Sequence, residues 1–357
     1  MRPRTAFSRL AAFIRSYCRG QAPRTEFKIL SDELVRLADI QAAAERIRGV
    51  AVRTPLIEAA VDWPLEPGAP SAQSASACWL KCENVQPTGS FKIRGAYNML
   101  AQLSREARAA GVVTCSSGNH GQAVACAAER LGMRAVIVMP ETAPRVKVDG
   151  VRRHRGEVIF AGRTSADRQT VAEAEAAARG LTVVPPFDHR WIIAGAGTCG
   201  LEILAQCREV SAVYVPVGGG GLISGVAAAI KGSGRAVRVI GVEPAGAARM
   251  AQSRSAGRPT TLERAASIAD GLLPLQPGDL TFAHVQALVD DLVTVDDGAI
   301  VGAVRWLSRK AGMVVEPSGA ASVAAMLQAG APMSPGTVAV VSGGNVSAED
   351  HAHYLRP

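Results

Sequence analysis

Two segments of the chain combine residue types that covalent and anion chemistry need. In AVYVPVGGGGLISGVAAAIKG an apolar run, 213 to 217, enters Gly218, Gly219, Gly220 and Gly221, then Leu222 and an alanine-rich helical stretch. Glycines let backbone N–H groups close around an anion, and a helix N-terminus attracts negative charge by about 0.3–2 kcal/mol. This is the pattern of a phosphate cradle. It is not a strict dinucleotide fingerprint, because a GxGxxG begun at Gly218 meets Ile223 and one begun at Gly219 meets Ser224. Glu243, at the end of the next apolar run, keeps a weak dinucleotide reading open. Glycines that only permit close helix packing are the plainer alternative, and four in a row after a strand exceed what packing needs.

The second segment is Ser90-Phe91-Lys92 in PTGSFKIRGA. A lone lysine is ordinarily a solvated surface charge. Here the turn Pro87-Thr88-Gly89 and the apolar neighbours Phe91 and Ile93 predict partial burial. A desolvated lysine loses its proton readily and attacks carbonyls. A nucleophilic lysine together with a phosphate cradle asks for a phosphorylated aldehyde, pyridoxal 5'-phosphate.

Elements able to position these residues follow from periodicity. Asp39 is read as the cap of a helix running IQAAAERIRG, and a loop at 64 to 77 precedes the strand ACWLKCE. Short apolar runs then alternate with alanine-rich stretches: GVVTCSS, AVACAAERLG, RAVIVMP, 144 to 153, EVIFAG, 165 to 179 and LTVVPPF. The alternation resumes with AVYVPV, ISGVAAAIKG, RVIGVEP, 245 to 256, LVTVDD, 296 to 311, 318 to 329 and TVAVVSGGN. Such alternation predicts parallel sheets covered on both faces. The fold class expected is α/β, with two doubly wound open-sheet domains and a ligand cleft between them. The large domain would take 37 to 110 and 189 to 357, and a small mobile domain 111 to 188.

Four motifs in order, KCENVQPTGSFKIRGA (81 to 96), SSGNHGQA (116 to 123), GGGGL (218 to 222) and SGGN (342 to 345), carry a family resemblance. AGAGTCGLEIL (194 to 204), ADG (269 to 271) and EPSGA (316 to 320) add to it. From 37 to 347 the chain resembles the fold-type II, tryptophan synthase β-like pyridoxal-phosphate enzymes, specifically the serine/threonine dehydratase and serine racemase group. The resemblance implies that Lys92 bonds covalently to the cofactor and that Phe91 packs on its ring. Gly218 to Gly221 with Leu222 would hold the phosphate, Asn119 would bond the ring hydroxyl, and Ser342 would face the ring nitrogen. A neutral hydroxyl there leaves the ring a weaker electron sink than a carboxylate would, which favours β-elimination.

SSGNHGQA follows a strand and opens a helix, which makes Ser116, Asn119 and His120 candidates for gripping a substrate carboxylate. His120 as a base competes with a structural, hydrogen-bonded histidine, the reading preferred here. By resemblance, Ser117 matches the second proton carrier of the racemase branch, and Arg168 an arginine that pairs with the substrate carboxylate. Three positions depart from the pattern. Phe187 stands in PPFDH, as in dehydratases, and nothing accounts for Ala196 in AGxGT. Where the racemase branch holds a divalent cation around EPxxAxD, this chain has Glu243 and Arg249. Arginine cannot ligate a cation, so no metal is expected, Glu243 is the sole remnant of such a site, and Glu243 and Arg249 are expected to pair.

The implied activity is deamination of a β-hydroxy amino acid of the L-threonine or L-serine type to a 2-oxo acid and ammonia. Alternatives are a serine or hydroxyaspartate racemase/dehydratase, a dehydratase for a bulkier 3-hydroxy amino acid, a β-replacement synthase, and a nicotinamide oxidoreductase. A pure binding module would not require Lys92.

Composition sets the outer limits. The 357 residues are 48% hydrophobic and 20% charged, which excludes a disordered chain and a small disulfide scaffold. Net charge is +8, but residues 1 to 30 hold seven basic side chains against one acidic, leaving +2 for the remainder. No basic stripe falls on the folded body, so no nucleic-acid partner is expected. That end, to residue 36, is read as a basic extension outside the fold: a transit-type presequence, a mobile tail or an early start. Seven cysteines without a CxxC pair read as reduced core thiols of a cytoplasmic protein. The charge-free windows at 210 to 230 and 317 to 348 are broken by glycine and proline, so no membrane span is expected. After SGGN about a dozen residues remain, which argues against an appended regulatory domain. The expected partners are a small amino-acid substrate and, by resemblance, a second copy in a homodimer.

Overall fold

The computed structural model describes residues 34–60, 77–162, 165–328 and 334–356. Most of the basic extension and most of the 64–77 loop lie outside them. The chain is tied in before Leu37, because Val35 is buried and its N–H donates to Nε2 of His284 at 2.9 Å. Helix α1 (Leu37–Arg46) corrects one expectation: Asp39 sits inside its first turn, not at its cap. From there the carboxylate reaches back and accepts from the Arg36 N–H at 3.0 Å. An acid in the first turn serves the exposed N-terminal donors much as a cap does, and periodicity alone does not separate the two positions.

The remaining elements are β1 (Leu56–Ala60), β2 (Ala77–Cys82), α2 (Lys92–Leu100), α3 (Arg105–Ala110), β3 (Val112–Cys115), α4 (Asn119–Arg130), β4 (Ala135–Met139), α5 (Arg145–Arg153), β5 (Glu157–Phe160), α6 (Ser165–Arg179) and β6 (Thr182–Val183). They continue with α7 (Arg190–Gln206), β7 (Ala212–Pro216), α8 (Gly221–Gly232), β8 (Arg238–Pro244), α9 (Arg249–Ala256), α10 (Asp279–Leu288), β9 (Asp291–Val295), α11 (Asp297–Ala311), α12 (Pro317–Gln328), β10 (Thr337–Val341) and α13 (Ala348–Leu355). A six-stranded sheet has the order β1-β2-β10-β7-β8-β9, and a four-stranded sheet the order β5-β4-β3-β6. Every pairing is parallel except β1 with β2, an antiparallel edge that the sequence pattern did not announce.

Both faces of each sheet are covered, as the continuous apolar runs require. In β10, Val338 and Val340 enter the core beneath α7 and α8, while Ala339 and Val341 enter the one beneath α11 and α12. In β4, Ile137 and Met139 meet α2 and α4, and Val136 and Val138 turn to the face that carries Ala172 of α6. Helix α2 crosses α7 so closely that a Cβ on Gly195 would lie 2.4 Å from the Arg94 carbonyl oxygen. Beneath that crossing Arg94 is fully buried, donating to Glu83 at 2.7 and 2.8 Å and to Glu202 at 2.7 and 2.8 Å. Lys81 completes the network with Glu202 at 2.5 Å. Two cations and two anions balance there, and the network clamps the helix that begins at Lys92.

Candidate active site

The connections carrying the motifs all leave the carboxyl ends of parallel strands, where open α/β sheets bind ligands. Residues 83–91 follow β2, residues 342–345 follow β10 and Gly218–Gly220 follow β7; β2, β10 and β7 are neighbours, so three motifs meet by topology. Backbone bonds tighten the meeting: Phe91 N donates to Ser342 O at 3.1 Å, and Gly344 N to Gly89 O at 2.9 Å. SSGNHGQA follows β3 in the other sheet and joins through Asn119. The Asn119 Nδ2 donates to Glu316 Oε1 at 2.5 Å, and its Oδ1 accepts from Asn345 Nδ2 at 2.8 Å. Since Asn345 Nδ2 also donates to Thr88 O at 2.9 Å, the orientation of the Asn119 amide is dictated from both ends.

Lys92 Nζ donates to Pro186 O at 2.7 Å and stands 5.1 Å from the centre of the Phe91 ring, with no carboxylate as partner among the described residues. Burial pulls its pKa from 10.5 down to about 8, so a neutral, nucleophilic amine is accessible close to neutral pH. Phe187, next to Pro186, lies on the glycine loop: a Cβ on Gly219 would stand 2.3 Å from two of its ring carbons. Gly220 has φ +99°, a conformation that side chains resist. The glycines are therefore required by contact and by backbone conformation, beyond any need of helix packing.

The loop fits an anion. Gly218 O accepts from Arg249 Nη1 at 2.5 Å and Gly219 O from Thr281 Oγ1 at 2.7 Å. Among the described residues nothing accepts from the N–H groups of Gly219, Gly220 and Gly221, at the start of α8. Leu222 lies in the first turn of that helix and is buried. Two hydroxyls beside Lys92, Ser90 Oγ and Thr88 Oγ1, are buried without a partner, open hydrogen-bonding capacity that a polar ligand would use. Unspent donors, a desolvated lysine and orphaned hydroxyls together suit pyridoxal phosphate.

Other candidates differ in what they offer. Ser342 is buried, and its hydroxyl makes only a long bond, 3.4 Å, to Ser318 O. Ser116 Oγ accepts from the N–H groups of Gly118 at 3.1 Å and Gly121 at 2.9 Å, which leaves its own hydrogen to donate. Ser117 is half-buried in the same loop. His120 lies against Val184 O at 3.3 Å, and burial, with the charge of Lys92, drives its pKa to about 3. A histidine that stays neutral down to such acidity is a poor base, in line with the structural reading. Arg168 is buried on α6 close to Cys115, at the end of β3. Phe91 packs against the core of the large sheet beneath the Lys92 amine.

Sequence reasoning did not assign Glu316, Lys147, Asp270 or Asn345. Lys147 of α5 bonds Asp270 and stands 3.7 Å from Glu316 Oε2, so it ties the α5 side of the site to the ADG and EPSG turns. Burial pushes Glu316 up to about 7, with Lys147 opposing. The two turns stood out in the sequence as motifs, but nothing local indicated that a lysine more than a hundred residues away would face them. Glu243 and Arg249 lie 3.7 Å apart, both fully buried. A separate open cleft of about 600 Å³, lined by Ala44, Val52, Leu201 and Glu202 among others, touches the AGAGTCGLEIL segment but includes neither Lys92 nor the glycine loop.

The comparisons agree with this geometry. A family described as pyridoxal-phosphate dependent enzyme matches residues 49–344. The L-threonine ammonia-lyase of Thermotoga maritima is 41% identical over 313 residues, 88% of this chain and 76% of that protein. The serine racemase of Schizosaccharomyces pombe is 36% identical over 329 residues, 91% and 99% of the two chains. Maize serine racemase superposes with a TM-score of 0.82 at 38% identity, covering 90% of this chain and 97% of that one. Against some other curated threonine dehydratases the chain spans about half their length. A lysine with no carboxylate partner and a loop of unspent N–H groups after β7, both among the described residues, together with a match over most of the sequence place this chain in the family of pyridoxal-phosphate dependent enzymes.

Proposed function

We propose that this chain is a lyase that deaminates a β-hydroxy amino acid of the L-threonine or L-serine type, releasing a 2-oxo acid and ammonia. The bound cofactor supplies an electron sink at the substrate Cα, which lets a proton leave there and a β-hydroxyl depart. The observation that carries the reading is Lys92: an amine with no carboxylate partner among the described residues, 2.7 Å from the carbonyl oxygen of Pro186, whose neighbour Phe187 covers Gly219. It would bond the cofactor and, once free, take the Cα proton. The N–H groups of Gly219 to Gly221 would hold the phosphate. The Asn119 amide, with one N–H spent on Glu316, has a second to give to the ring oxygen, and the neutral Ser342 hydroxyl would face the ring nitrogen. Ser116 and the start of α4 would receive the substrate carboxylate, with Arg168 as a further cation for it. Release of 2-oxo acid from a panel of L-threonine, L-serine, 3-hydroxyaspartate and bulkier hydroxy amino acids tests this. Lys92→Ala should abolish both turnover and the violet-edge absorption band, and turnover surviving it would refute the reading.

A racemase side reaction has its own support: the Ser117 hydroxyl makes no hydrogen bond among the described residues. Ser117→Ala should stop racemisation and spare elimination. The reading also takes residues 111–188 as a small domain that closes over substrate. The four-stranded sheet drawn wholly from residues 112–183 supports it, and a substrate-dependent fall in radius of gyration would test it. A homodimer in the cytoplasm is the working form we assign, open to sedimentation and cell fractionation.

A further inference from the structure

Arg249 is fully buried at the start of α9, yet no carboxylate holds it closely. Its Nη1 donates to Gly218 O at 2.5 Å, and its Nη2 donates to Leu272 O at 2.6 Å and to Ala247 O. The carboxylate beside it, Glu243, keeps Oε1 3.7 Å away and instead accepts from the N–H groups of Met250 and Ala251, each at 2.9 Å. A buried guanidinium is ordinarily gripped by a bidentate acid. Here three carbonyl oxygens and one carboxylate, from three separate segments of the chain, converge on it. That is the oxygen set a hard metal ion takes, filled by a cation tethered to the chain.

The consequence reaches the glycine loop. The carbonyl of Gly218 and the N–H of Gly219 belong to one planar trans peptide and point in opposite directions. Drawing the oxygen back to Arg249 therefore turns the Gly219 N–H outward. Thr281 does the same to the next peptide by donating to Gly219 O at 2.7 Å, which turns out the N–H of Gly220. Two successive donors are left unspent while the carbonyls of their own peptides are held by side chains.

We propose that Arg249 is a positioning residue for the phosphate loop, a built-in cation that orients the Gly218–Gly219 peptide and takes the place a free metal ion would fill. This rests on the reading that the loop holds the cofactor phosphate. Removing the side chain leaves four oxygens around a hole the size of a guanidinium group. A free guanidinium ion or a divalent cation should then enter it.

The test is equilibrium binding of pyridoxal phosphate to the apoenzyme, read from its visible band. Wild type, Arg249→Ala and Arg249→Lys are each measured with chelator, then with millimolar guanidinium, Mg²⁺ or Ca²⁺, and with tetramethylammonium as the ionic-strength control. Wild type should bind equally well with chelator or metal. Arg249→Ala should bind at least about tenfold more weakly. Guanidinium or a divalent ion should restore most of that loss, and tetramethylammonium none. Arg249→Lys keeps the charge with fewer donors, so it should fall between the two. A wild-type affinity that depends on a divalent ion overturns the inference. So does Arg249→Ala binding like wild type, or a weakened Arg249→Ala that no cation rescues. If Arg249→Ala does not fold, the lysine variant decides, and wild-type affinity in it is fatal to the inference. Failure of wild type itself to bind the cofactor would instead defeat the underlying functional reading.

Discussion

Replacing Lys92 by methionine should stabilise the apoenzyme while destroying its activity. Burial lowers the Lys92 pKa from 10.5 to about 8. At 1.36 kcal/mol for each tenfold in the ionisation constant, the charged amine costs folding about 3 kcal/mol near neutral pH. The residue is half-buried rather than sealed, and the bond to Pro186 O contributes about 1 kcal/mol in the other direction. The net expectation is a gain of about 2 kcal/mol for Lys92→Met. The dependence on pH follows from proton binding. The unfolded chain keeps this proton up to its ordinary pKa of 10.5, whereas the native one releases it at about 8. Between those values the unfolded state binds more protons, so wild-type stability rises with pH and the variant lacks that rise. Denaturant unfolding of both apoenzymes near neutral pH and again at about pH 10 measures the gap directly. A variant no more stable than wild type near neutrality, or one whose advantage does not shrink on going alkaline, would show that the amine is not desolvated as argued.

Further substitutions probe the surroundings. Gly219→Ala places a methyl carbon 2.3 Å from the Phe187 ring, so the ring and the loop must part; cofactor affinity should fall at least about tenfold, and wild-type affinity in a binding titration would contradict the cradle. Above about pH 7, where Glu316 is ionised, Lys147→Met strands its buried carboxylate, whose Oε2 has no hydrogen-bond partner, and should cost about 3 kcal/mol alone but much less on top of Glu316→Gln. A double-mutant cycle with coupling below about 0.5 kcal/mol would dismiss that pairing. Because native Glu316 keeps its proton to about pH 7 against 4.5 ordinarily, the native state binds more protons between those values. Stability should therefore decline as pH rises through that window, and Glu316→Gln should remove this contribution to the decline. Glu83→Gln breaks a fully buried pair with Arg94 and should cost about 3–5 kcal/mol, far beyond Glu157→Gln at an exposed pair; similar melting points for the two variants would argue against the clamp under α2.

The alternation of apolar runs with alanine-rich stretches, the four glycines after β7 and the lysine after a Pro-Thr-Gly turn were legible in the sequence, because each signal is complete within a few residues. Strand period, helix period and turn chemistry are local properties, so they read correctly for β3, for α4 to β6, for β7 and α8, and for β10. The short LIEAA strand was missed, since five residues without alternation form a strand only when a partner edge receives them. Asp39 was misplaced because cap and first-turn acids do similar work. What the tertiary structure alone decided is which distant groups share a buried space. His284 meets Val35, Glu316 orients Asn119 under the charge of Lys147, and Arg249 draws the Gly218 carbonyl back. Each of these depends on charge and hydrogen bonding in a low-dielectric interior, where partners are chosen by proximity in space across stretches of chain that carry no common period.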